Sequence, residues 1–206
     1  MGDRIVSRHL RTLELCKHGT STMPQDAARA KGLEVVFSPD AIAARLDELA
    51  SEIAQRNFER LLVVAVLKGS FVFAADLIRA MHRVGLEPEV DFLTLSSYRK
   101  STTSSGQVEI LRDLDLDVID RNVLLIDDVL DSGRTLAFAK DLISARGAKS
   151  ISTCVLLDKQ TQRAVDLVPD FRAFECPEVF VVGYGMDVAH RYRELPYVGR
   201  IVTNAM

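Results

Sequence analysis

Val123–Leu136 reads VLLIDDVLDSGRTL, and the order of residue types along it decides the fold. Four apolar residues in a row (Val123, Leu124, Leu125, Ile126), with no polar alternation, suit a strand covered on both faces, as in a parallel sheet. Two adjacent carboxylates, Asp127 and Asp128, end the run, and a small-residue loop follows, Asp131-Ser132-Gly133-Arg134-Thr135. From Thr135 onward Leu136, Ala139 and Ile143 recur at helical spacing, and Arg146-Gly147 supplies a basic last turn and a left-handed cap. The stretch therefore predicts strand, loop and helix, with the loop at the carboxyl end of the strand, where open α/β sheets place their ligands.

That loop has the chemistry of a phosphate cradle. Ser132, Gly133, Arg134 and Thr135 offer backbone N–H groups at a helix amino terminus, where the dipole favours an anion, and two hydroxyls add donors. The acids just ahead of the loop would repel a polyphosphate chain. They suit sugar hydroxyls or a divalent cation. A ligand with a phosphate at one end, ribose hydroxyls beside it and a metal-bound leaving group matches both halves. No GxxxxGK[ST] run exists, and Gly183-Tyr184-Gly185 lacks the third glycine of a dinucleotide fingerprint.

Taken together, these residues resemble the phosphoribosyl diphosphate (PRPP) signature of type I phosphoribosyltransferases: an apolar strand, two acids, two apolar residues and a D-[ST]-G-x-T loop. The resemblance implies an α/β fold, with a central, mainly parallel sheet flanked by helices and a small hood formed from the N- and C-terminal parts. It also implies that Asp127 and Asp128 meet the ribose hydroxyls and a magnesium ion, that residues 131–135 grip the 5-phosphate, and that Asp131 accepts the proton from N7 of an incoming purine. Two departures stand out: Asp127 replaces a glutamate found in many members, and Arg134 replaces a common lysine.

Working outward, Leu61–Leu67 (LLVVAVL) predicts a second buried strand, ending in Lys68-Gly69-Ser70 before a helix with Phe71, Ala75, Ile78 and Met81 on one face. A lysine and a glycine at a strand end and helix start form either an anion site or a solvated turn. The resemblance makes Lys68 and Gly69 pyrophosphate contacts and marks the Leu67–Lys68 peptide as one that is often cis. Val35-Val36-Phe37 predicts a short strand; Ser38-Pro39 then caps a helix carrying Ile42, Leu46, Leu49 and Ile53. Glu89–Ser97 predicts another strand, and Tyr98 to Gly106 is a polar, unpatterned loop. By resemblance, Ser97-Tyr98 opens a flexible loop that closes over the active site. Asp113, Asp115 and Asp117 fail as a calcium loop, because Val118 and Leu124 stand where its glycine and glutamate belong.

Ile151–Leu157 predicts a further strand ending in Asp158-Lys159, and Phe180–Gly183 one more before Tyr184-Gly185-Met186-Asp187; Tyr192-Arg193-Glu194-Leu195 follows. On their own, Lys159 reads as a surface lysine and Phe180 as a core aromatic. Their order and spacing resemble the hypoxanthine-guanine branch of the family from Leu33 to the C-terminus. In that branch Lys159 would bond the purine 6-oxygen, Phe180 would stack on the base, Val181 would offer backbone groups, Asp187 would hold magnesium and Arg193 would touch pyrophosphate. The implied reaction moves the phosphoribosyl group of PRPP to N9 of a 6-oxopurine. A xanthine-preferring enzyme and a non-catalytic PRPP sensor are the alternatives.

Composition bounds these expectations. The 206 residues, 48% of them hydrophobic, suffice for one well-buried core. A net charge of −3 argues against a general nucleic-acid binder. The apolar runs are too short to span a bilayer, so no membrane partner is expected. Cys16, Cys154 and Cys176 are widely spaced and odd in number, which predicts free thiols in a reducing, cytoplasmic setting. Residues 1–31 carry six basic side chains against three acidic ones. They predict a poorly ordered leader ahead of a single domain over 32–206. The resemblance adds a homodimer or homotetramer.

Overall fold

The computed structural model describes residues 32–97, 108–159 and 163–202. The expected leader (1–31) and Tyr98 lie outside the described residues, and Ser97 is described only as the end of a strand. The chain opens with β1 (Leu33–Phe37) and α1 (Pro39–Ala54). Ser38 caps α1 by accepting a hydrogen bond from the Ala41 amide at 3.2 Å, and Pro39 occupies the first turn, where its missing N–H costs nothing. Then come β2 (Leu61–Leu67), α2 (Phe71–Arg83), β3 (Glu89–Ser97), β4 (Val108–Arg112), β5 (Asn122–Leu130), α3 (Arg134–Ala145), β6 (Ser150–Lys159) and β7 (Phe171–Cys176). Two short strands, β8 (Val181–Val182) and β9 (Val198–Ile201), complete the order.

Six strands form the main sheet in the order β4-β3-β2-β5-β6-β7, all parallel except β4, which runs antiparallel to β3. The unalternating apolar runs of β2 and β5 are its two central strands, buried on both faces. Their alternate residues feed two cores. Val63, Ala65, Leu124 and Ile126 face α1 and α2, while Leu62, Val64, Val123 and Leu125 face α3. The chain crosses from β2 to β3 on one side and from β5 to β6 on the other, so the strand order reverses between β2 and β5. Such a reversal opens a crevice beyond the carboxyl ends of the two strands.

The second sheet is the expected hood. β1 from the start of the described chain pairs antiparallel with β9 from its end, and β9 pairs with β8. Leu33, Val182, Leu195 and Tyr197 form its own small core.

Three sequence expectations change. The acids Asp127 and Asp128 sit inside β5, not beyond it, because the register with β6 continues through Leu130↔Asp158. The buried face of α2 is Phe73, Ala74, Leu77, Ala80 and Met81; of the expected set only Met81 belongs to it, and Phe71 is 43% exposed. The helix starts directly at Phe71, so its inward stripe begins one half-turn later. Phe180–Gly183 shrinks to Val181–Val182 and joins the hood, leaving Phe180 60% exposed.

Candidate active site

The crevice is built from loops that touch one another. At the end of β2 the Leu67–Lys68 peptide is cis. Ser70 is wholly buried, and its hydroxyl donates to the Val66 carbonyl at 2.5 Å, folding the Lys68-Gly69 turn back onto its own strand. Lys68 is left exposed at the rim. Across the crevice, the Asp128 carboxylate presses on Gly69 so closely that a Cβ there would lie 1.7 Å from Asp128 Oδ2. Only glycine fits.

The two acids carry the sharpest electrostatics. Asp127 is 7% exposed; its Oδ1 accepts from the Asp128 amide at 3.0 Å, and Asp128 Oδ1 accepts from the Val129 amide at 2.9 Å. Burial, then the neighbouring Asp128 charge, raises the Asp127 carboxyl well above the usual carboxylate range. Asp128 is also raised by burial, with hydrogen bonds and the field of Arg193 pulling the other way. Among the described residues neither acid has an ion-pair partner within 4.0 Å. A cation would relieve this like-charge pair. No group of three or more metal-ligating side chains gathers among the described residues. Adjacent carboxylates are ligands suited to a hard cation such as magnesium.

The hood closes the same wall. A Cβ on Gly185 would meet the Gly69 carbonyl at 2.4 Å, so the hood turn rests on the β2 loop. Arg193 donates to the Gly185 carbonyl at 2.6 Å and pairs with Asp187 at 2.6 Å. Asp187 also accepts from the His190 amide at 2.8 Å. Tyr184, beside this turn, donates its hydroxyl to Asp76 of α2 at 2.8 Å, and burial raises its phenol.

On the other side, Gly133 stands at φ 78° as the cap of α3, whose first intrahelical bond runs from the Ala137 amide to the Gly133 carbonyl at 2.9 Å. The amides ahead of Ala137 have no partner within the helix, as at any helix start. Asp131, Ser132 and Thr135 line the approach, with Asp131 and Arg134 exposed. Lys159 ends β6 in register with Cys176, and Asp158 before it is level with Leu130, the residue preceding Asp131. The structure thus brings the Lys68, Asp127, Asp131 and Lys159 segments to one end of the sheet, with Gly185–Arg193 as the facing wall. Phe180, an exposed aromatic leading into the buried Val181, is free to stack on a ligand. Sequence reading missed Asp76, Asp158 and Arg163; for Asp158 the one available signal was a carboxylate closing an apolar strand.

Comparisons with known proteins agree with this geometry. The model of the phosphoribosyl transferase domain matches residues 36–189. Hypoxanthine-guanine phosphoribosyltransferase of Bacillus subtilis is 44% identical over 167 residues, covering 81% of this chain and 91% of its own length. Hypoxanthine phosphoribosyltransferase of Buchnera aphidicola subsp. Schizaphis graminum is 42% identical over 173 residues, covering 82% and 96%. A crystal structure of a hypoxanthine-guanine phosphoribosyltransferase from Bacillus anthracis, 41% identical, superposes with a TM-score of 0.76 and covers 82% of this chain and 98% of that one.

Proposed function

The chain belongs to the phosphoribosyltransferase family, and from that premise we propose that it moves the 5-phosphoribosyl group of PRPP to N9 of hypoxanthine or guanine, releasing pyrophosphate in purine salvage. The observation that carries this reading is the contact between Asp128 and Gly69, which sets a sugar-binding acid against a pyrophosphate-binding turn, directly ahead of a phosphate-binding helix start.

Each residue then has a task. Residues 131–135 hold the 5-phosphate on backbone N–H groups and hydroxyls. Asp127 and Asp128 hold the ribose hydroxyls. Lys68, the Gly69 backbone and Arg193 face the pyrophosphate. Lys159 donates to the 6-oxygen of the base, Phe180 stacks on its ring and the Val181 backbone meets its edge. Asp131 takes the N7 proton as N9 becomes nucleophilic. Bond breaking runs ahead of bond making, so placement and neutralisation of the leaving group dominate the acceleration. Asp127, Asp128 and Asp187 are the groups to hold magnesium, which when bound supplies charge neutralisation at the departing pyrophosphate. Ser97-Tyr98 opens the loop assigned to cover the site.

The proposal extends to a homodimer or homotetramer in the cytoplasm. No helix among the described residues is long and apolar enough to cross a membrane.

The test is direct. The protein with PRPP and magnesium should convert hypoxanthine to inosine monophosphate and guanine to guanosine monophosphate, with pyrophosphate released, faster than it converts xanthine. Turnover of xanthine alone would reassign the base, and no turnover of any of the three would overturn the reading.

A further inference from the structure

Asp158 and Arg163 have no part in the roles above, yet they tie two of its subsites together. Asp158 is the penultimate residue of β6, with a wholly buried side chain. One guanidinium nitrogen of Arg163 donates to Asp158 Oδ1 and another to the Leu167 carbonyl, while Arg172 holds Asp158 Oδ2 at 3.2 Å. The Arg163 side chain is only 16% exposed. A wholly buried carboxylate paired with a mostly buried guanidinium resists opening, since parting them would cost each a charged partner away from water.

What Arg163 anchors is the back of the phosphate loop. The amides of the next two residues, Ala164 and Val165, both donate to the Ser132 carbonyl, at 3.0 and 3.3 Å. In a trans peptide the C=O and the following N–H point in opposite directions. With the Ser132 carbonyl turned toward Ala164 and Val165, the Gly133 N–H is turned the other way, away from that segment. Val165 also backs Gly133 closely, its carbonyl 3.3 Å from where a Cβ would stand.

We infer that Arg163 is a positioning residue, whose ion pair with Asp158 fixes the Ser132–Gly133 peptide so that its N–H faces the 5-phosphate. This deepens the proposed function and rests on its assignment of residues 131–135 to that phosphate. Because Asp158 is joined directly to Lys159, the same pair also sets the spacing between the phosphate cradle and the lysine assigned to the base.

Ribose 5-phosphate binding, measured by calorimetry on the full chain, tests this without depending on turnover. Arg163→Met should weaken binding roughly tenfold or more, as expected for a misaligned donor, and raise KM for PRPP more than it lowers kcat. Arg163→Lys, which keeps one contact to Asp158, should recover part of the affinity. If Arg163→Met does not fold, Asp158→Leu/Arg163→Met leaves no stranded charge in this pair and takes its place in the same measurement. Affinity within twofold of wild type in the folded variant overturns the inference, and so does a wild-type chain that ignores ribose 5-phosphate. Loosened binding in a protein that turns over none of the three purines keeps the inference and discards the proposed base chemistry.

Discussion

At Gly69 the absence of a side chain is what lets the Asp128 carboxylate approach the turn so closely. Gly69→Ala forces a methyl into the space of the Asp128 carboxylate, so the acid or the turn must move. The expected result is a fall in kcat/KM of roughly 10²-fold or more in a protein whose circular dichroism is unchanged; near-normal kinetics would remove the contact from the mechanism. Asp131 makes the complementary case, because it stands exposed at the mouth of the loop and can change chemistry without disturbing packing. Asp131→Asn should lower kcat by roughly 10²–10⁴ while ribose 5-phosphate binds within a few-fold of wild type. A rate within threefold of wild type would clear Asp131 of proton transfer.

Among the elements, α3 is fastened at its far end by a two-pronged ion pair, Arg146 Nη1 and Nη2 to Asp113 Oδ1 and Oδ2 at 2.7 Å each. Hydrogen bonding to Arg146 holds the Asp113 carboxyl below its ordinary 3.8. Between that lowered value and 3.8 the folded chain binds fewer protons than the unfolded one. The pair's contribution is thus present above pH 3.8 and lost as pH falls through the native value. With Asp113 half exposed, solvent screening limits it to about 0.5–1 kcal/mol. Asp113→Asn should lower the unfolding free energy measured in urea at pH 7 by that amount, with the difference vanishing in strong acid and shrinking in roughly 1 M salt; a difference independent of pH would refute the linkage. The elements also mark what could be read beforehand. β2 and β5 were legible because an unbroken apolar run has few other uses, and α3 was legible because Leu136, Ala139 and Ile143, the very residues it buries, keep its period. β4 and β7 were passed over: VEILR and FRAFEC are short, and charged residues on their open sides dilute the pattern. Within the site, the assignment of residues 131–135 to a phosphate could be argued from local chemistry. The assignments of Lys159 and Phe180 came from family resemblance, because nothing local separates a base-binding lysine from a solvated one. The Asp158–Arg163 pair and its link to Ser132 depend on contacts between segments that no periodicity encodes.

For the whole molecule, the hood packs into the core between α1, α2 and the main sheet through Val181, Tyr184, Met186 and Val198, and Tyr184 adds a hydroxyl bond to Asp76 across that seam. Tyr184→Phe should cost about 1 kcal/mol of stability and raise KM for the purine, since Phe180 and Val181 travel with the hood. Ribose 5-phosphate affinity should stay unchanged, because the residues proposed to hold it, 131–135, follow β5 of the main sheet; equal losses in both ligands would refute a purine-specific effect of the Tyr184 contact. The hood's pairing of Leu33 with Ile201 spans nearly the whole described chain, so it was foreseen only through the family. The furrow between β2 and β5, in contrast, comes from the wiring of the crossovers and not from any side chain that lines it. Mutational decay of the chemistry would therefore leave the hollow standing, and a descendant that had lost every reactive group could still serve as a receptor for phosphorylated sugars.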